Sequence, residues 1–135
     1  MEVRWLLEGF TSWNYSTPGV SFKLSRGRIT IFKTTLDTLG RPEYFQFMFS
    51  PEDKMFAIQA CEMSDDGAHR MPEITSREYI DVNSKALVRF VYHTCGWKEK
   101  YTYRIPGIAH LEQRLISFDL LKALEIHDGK LMEAK

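Results

Sequence analysis

Only two cysteines, Cys61 and Cys95, stand in the 135 residues. That is too few for a disulfide framework, and no C-x-x-C spacing supports metal or redox chemistry. They read as reduced, mostly buried thiols of a reducing compartment. No apolar run approaches the roughly 20 residues that a membrane helix needs. The start, Met1 to Phe10, is broken by Arg4 and Glu8 and lacks the basic head and long apolar core of a signal peptide. These absences predict a cytoplasmic protein that does not enter a membrane. Net charge is missing too, because 18 basic and 18 acidic residues cancel. Global charge then offers no attraction to a polyanion, which must be held by local clustering if at all.

Catalytic patterns are equally scarce. His69, His93, His110 and His127 are scattered. His93 and Cys95 are two residues apart, so on a helix they do not face each other. Glu52-Asp53 and Asp65-Asp66 fall in turn-like stretches, where acids make local hydrogen bonds. No phosphate-loop, dinucleotide-loop or nucleophile-elbow pattern occurs. The expectation is a non-enzyme with no catalytic residue, no metal and no cofactor.

What the chain does have is a core. Apolar residues make up 44% and aromatics 13%, which excludes a disordered segment. A chain of this length can bury enough surface to fold without metal or disulfides. Val20 to Ser25 alternates apolar and polar, predicting a strand ended by Arg26-Gly27. Ile29-Thr30-Ile31-Phe32 predicts a second strand. Thr34 or Thr35 can cap a brief helix through Leu36 and Leu39, stopped by Gly40. Tyr44–Phe49 and Met55–Ala60 read as a hairpin across a Pro51 turn, with Phe45, Phe47 and Phe49 on one core face. Tyr79–Val82 predicts a strand. Asn83 or Ser84 can cap a longer helix whose apolar positions are Ala86, Leu87, Phe90, Val91 and Thr94, ended by Gly96. Tyr101–Ile105, closed by Pro106-Gly107, and Leu115–Phe118 predict a last strand pair. Asp119 to Leu124 predicts a closing helical turn.

The order strand, helix, strand, strand thus occurs twice. The predicted organisation is one domain over 1–135, with a first βαββ half at 20–61, a linker at 62–76, a second half at 77–124 and a frayed tail at 125–135. Neither half is large enough to be stable alone. The fold class expected is therefore α+β and β-rich, two halves joined as a pseudo-dimer in one barrel.

Gly27-Arg28-Ile29-Thr30-Ile31, then Leu39-Gly40, then an alternating hairpin resembles the AbrB/SpoVT/MraZ group of swapped-hairpin DNA-binding domains. The likeness covers residues 20–60, with a degenerate second copy at 77–120 where Glu78-Tyr79-Ile80 replaces the Gly-Arg step. Phe32 stands where the family usually has proline. The resemblance implies a swapped-hairpin or double-psi-like barrel, a bacterial transcription regulator, double-stranded DNA as partner and a homo-oligomer.

Local charge points the same way. No acidic residue occurs from Gly9 to Leu36, a stretch that holds Lys23, Arg26, Arg28 and Lys33. Near a strand end these cations can reach phosphates or base edges. A second candidate surface combines Lys98, Lys100, Tyr101, Tyr103 and Arg104, where aromatics beside cations could stack bases. Two other classes stay open on the sequence: a protein-interaction or accessory module without nucleic-acid binding, and a small-molecule binder using a barrel or a groove between the halves.

Overall fold

A computed structural model describes residues 18–73 and 79–127, and the backbone of 130–132. Expectations for residues 1–17, 74–78, 128–129 and 133–135 lie outside the described residues.

The chain forms a curled, half-barrel sheet in which every pairing is antiparallel. In chain order the elements are β1 (Gly19–Lys23), β2 (Arg28–Phe32), helix α1 (Lys33–Thr38), β3 (Tyr44–Ser50), β4 (Met55–Cys61), β5 (His69–Arg70), β6 (Tyr79–Asn83), helix α2 (Lys85–Cys95), β7 (Thr102–His110), β8 (Leu115–Asp119), β9 (Leu124–His127) and β10 (Lys130–Met132). The main path across the sheet is β5-β3-β4-β8-β7-β1-β2-β6. The two predicted hairpins therefore meet through β4 and β8, with Ala57 opposite Ser117. The two leading strands meet as well, with Thr30 of β2 opposite Asp81 of β6. No helix among the described residues is long and apolar enough to cross a membrane.

The inner face is aromatic and branched. Phe22, Phe45, Phe56 and Phe118 are fully buried with Ile29, Ile31, Ile58, Ile105 and Ile116, at alternate positions along their strands, as a half-buried sheet requires. Each fully buried phenylalanine stabilises the fold by roughly 1.5–3 kcal/mol. Phe22 meets Phe56 edge-on at 5.1 Å, so β1 and β4 touch through the interior although two strands separate them in the sheet path.

Helix α2 covers this interior with a stripe the apolar pattern misplaces. Val88, Val91 and Tyr92 are the buried positions, while Ala86 is exposed and Phe90 is 48% exposed. Phe90 instead packs edge-on against Phe49 at the end of β3. Tyr92 fixes the helix. Its buried hydroxyl lies 2.8 Å from the Phe22 carbonyl oxygen and 2.7 Å from that of Tyr101, donating between them.

Three further expectations need correction. Pro106-Gly107 does not close a strand, because β7 runs through it to His110. There β7 changes partners. Residues 103–106 face β1 on one edge, while Gly107–His110 face β8 on the other. Gly107 lets Ile116 and Phe118 of β8 close on the backbone of β7, because a Cβ there would lie 2.7 Å from Ile116 Cγ2 and 2.8 Å from Phe118 Cε1. The supposed linker carries β5, which pairs with β3. The supposed tail carries β9, which follows β8 along β7 after a 3-10 turn at Leu120–Lys122, and β10 pairs with it.

Neither threonine caps α1, whose N-cap is Phe32. Thr35 is instead fully buried. Its Oγ1 accepts from the Gly19 N–H at 2.7 Å and donates to the Gly19 carbonyl at 2.9 Å. The hydroxyl thus satisfies both backbone groups at the start of β1. Thr35→Val keeps the shape and orphans both, which should cost about 1–3 kcal/mol, read as a lower urea midpoint at unchanged slope.

Candidate nucleic-acid interface

The turn between β1 and β2 is a 3-10 turn, Leu24–Arg26, closed by Gly27 at φ 57° with its N–H donating to the Leu24 carbonyl. Only glycine takes that left-handed conformation without strain. Lys23 and Arg28 are opposite each other at the mouth of this hairpin. Lys23 and Arg26 are exposed and Arg28 is partly so. Three of the four predicted cations therefore share one turn. The fourth does not join them. Lys33 begins α1 at the far end of β2, about 15 Å from Arg28 at a strand's rise per residue.

What the turn gains instead is the start of α2. The Ser84 N–H donates to the Gly27 carbonyl at 2.7 Å. Lys85 lies so close that a Cβ on Gly27 would strike its Cγ and come within 2.8 Å of its Cα. Lys85, Arg89 and His93 follow at intervals of four, so they share one face of the helix, and all three are exposed. Leu24 of the turn lines a common groove with Arg89 and His93. Lys85 thus lies beside the turn and Arg89 beside Leu24, while Lys23 and Arg28, next to the inward Phe22 and Ile29, point to the outer side of the sheet at the hairpin's mouth.

Two carboxylates stand against this surface. Asp81 Oδ2 is 4.0 Å from Arg28 Nε, a loose contact, while its Oδ1 accepts from Thr30 Oγ1 at 2.7 Å. Glu99 lines the same groove as Arg89 and His93. Sequence reasoning grouped the cations of the turn and did not include those of the helix. The missed signal is a second acid-free stretch, residues 82–98, which holds Lys85, Arg89, His93 and Lys98.

The second predicted surface is not assembled as a stacking platform. Tyr103 is 3% exposed, stacks on Trp97 at 4.4 Å, accepts from the Lys98 N–H and donates to Glu125. Burial pushes its hydroxyl up to about 12. Arg104 alternates with Tyr103 and so points to the other sheet face. There its guanidinium lies over Phe32 and its Nε donates to Ser21 Oγ. Tyr101 is stacked on His127 at 3.7 Å, with Lys98 and Lys100 beside its ring.

That corner is a tie between β7 and β9. The hydrogen bond from His127 holds the Glu125 carboxyl below the usual carboxylate range. Tyr103 and the Lys98 charge help, against the opposing cost of burial. A depressed folded-state value gives stability that is present above the unfolded pKa and lost as pH falls through the folded one. The melting-temperature gap between wild type and Glu125→Gln should therefore be steady at neutral pH and close as pH drops into and below the carboxylate range.

Among the described residues no three His, Cys, Asp or Glu side chains group as metal ligands. Both cysteines are free. Burial raises each thiol, aided at Cys61 by Asp65 and Glu62 and opposed at Cys95 by Lys54. At neutral pH neither is the thiolate that nucleophilic chemistry needs.

No protein-family model, no curated protein and no solved structure matches the chain. The reading of this surface rests on its own residues.

Proposed function

We propose that this chain is a DNA-binding protein of the AbrB-like, transcription-regulating type, which holds a duplex against the face formed by the β1–β2 turn and helix α2. It works without catalysis or cofactor, in the cytoplasm, as a homo-oligomer. One observation carries the reading: two acid-free stretches, 9–36 and 82–98, are far apart in sequence, and their described parts meet where Lys85 packs on Gly27. Five exposed or partly exposed cations then belong to the turn and the helix start that adjoin there, on a chain of zero net charge. Such a group suits phosphate contacts, which release counterions and fix the protein on the backbone.

The same proposal takes the two βαββ units as a duplication about an internal twofold axis. Counterpart strands pair, β2 with β6 and β4 with β8, and the remaining pairs exchange, β1 with β7 and β5 with β3. The hairpin turns agree at matched positions. Lys54 and Arg114 both take φ 52°. The Ala60 N–H donates to the Arg114 carbonyl, as the Leu120 N–H does to that of Lys54. A swapped-hairpin pseudo-dimer would have these features.

The test is fluorescence anisotropy with labelled duplex DNA at low salt. Arg26→Ala/Arg28→Ala should weaken binding about tenfold or more and flatten its salt dependence by about two phosphate contacts. Lys33→Ala should change little. No duplex binding by the wild type at low salt would end the proposal.

A second reading, a protein-interaction module, is favoured by the outer face of β3-β4-β8-β7. Met48, Ala57, Ser117 and Ile108 form one row across it, and Met48 and Ile108 are 44% and 59% exposed.

A further inference from the structure

Beside the basic face, and continuous with it through Arg89 and Leu24, runs a groove of about 440 Å³, within the range of about 300–1,000 Å³ usual for small-molecule pockets. Leu24, Tyr92 and Trp97 are its apolar and aromatic lining, while Arg89, His93 and Glu99 contribute exposed polar groups. Trp97 is held rigid, stacked on Tyr103 and edge-on to Tyr92. Its position therefore does not depend on a ligand.

The charges divide this region in two. Outside the groove, Lys23, Arg26, Arg28 and Lys85 suit an anionic backbone. Inside it, the Glu99 carboxylate repels a phosphate and accepts from N–H groups. A flat, neutral ring with an exocyclic amine fits that combination. Arg and His planes stack on bases, a carboxylate accepts from a base amine, and an aromatic wall excludes water. In a duplex the bases are stacked and paired, so they cannot enter.

Resting on the reading that the basic face binds DNA, we propose that the groove receives an unpaired nucleobase. The favoured ligand is then single-stranded DNA, or a duplex with a displaced base, rather than a fully paired duplex. The phosphates on either side of the inserted base lie on the β1–β2 turn and the first turns of α2. The groove adds affinity through stacking and the amine contact.

The experiment compares three labelled ligands of equal length on the full chain: oligodeoxycytidylate, an abasic phosphodiester chain and a fully paired duplex. Stacking of even one base predicts that oligodeoxycytidylate binds about tenfold or more tighter than the abasic chain. The duplex, which cannot place a base in the groove, should bind less tightly than oligodeoxycytidylate. Glu99→Gln should narrow the gap and tighten abasic binding slightly, because it removes a carboxylate that repels phosphate. Equal affinity for oligodeoxycytidylate and the abasic chain overturns the groove assignment and leaves the basic face standing. Failure to bind any of the three at low salt overturns the basic face, and the groove with it.

Discussion

Gly27→Ala is expected to lower the thermal midpoint by roughly 10 °C, from a loss of about 2–4 kcal/mol. Two costs add. Gly27 sits at φ 57°, where a side chain strains the backbone. Its Cβ would also lie 2.8 Å from Lys85 Cα, so a backbone atom has to move, and the Ser84-to-Gly27 hydrogen bond moves with it. Gly40→Ala separates the costs. Gly40 has φ 83°, but nothing lies within 4 Å of an added Cβ, so only the conformational part, about 1 kcal/mol, should be lost. Gly27→Ala should also weaken DNA binding without touching a charge, because it levers the cations of α2 away from the turn. Equal effects of the two substitutions on stability would mean that the turn and helix are not in close contact.

The second large effect belongs to the helix. Lys85→Glu/Arg89→Glu changes the local charge by four units on a surface with few carboxylates, Asp81 and Glu99 among them. Both side chains are exposed and lie off the buried Val88–Val91–Tyr92 stripe, so stability should hardly change. Binding at low salt should fall by about a hundredfold or more, since each lost phosphate contact is compounded by repulsion. If the variant binds as the wild type does, α2 is not part of the interface.

Much of the architecture was legible because it is local. Gly40 and Gly96 end helices by taking positive φ, and the alternation of Phe45, Phe47 and Phe49 marks a sheet face. The errors are non-local. Phe90 looks like core by helical spacing, yet its partner Phe49 lies across the chain at the sheet's end. Pro106-Gly107 looks like a stop, yet β7 needs a small residue there so that Ile116 and Phe118 can close on its backbone.

The interface divides in the same way. Lys23, Arg26 and Arg28 are neighbours in sequence, so a local pattern groups them. Lys85 and Arg89 are brought to them by the pairing of β2 with β6, in which Arg28 faces Asn83, a contact no local pattern encodes. The consequence is a changed division of labour. The first unit does not supply the surface by itself. The second contributes a helix that both covers the core and extends the basic face.

The most direct test of that face is the salt dependence of duplex binding. With four to five phosphates neutralised, log K against log salt should fall with a slope of about −4. For Lys85→Glu/Arg89→Glu the slope should be shallower by about two. A wild-type slope near zero, or one that the double substitution leaves unchanged, would contradict a DNA interface built jointly by the β1–β2 turn and helix α2.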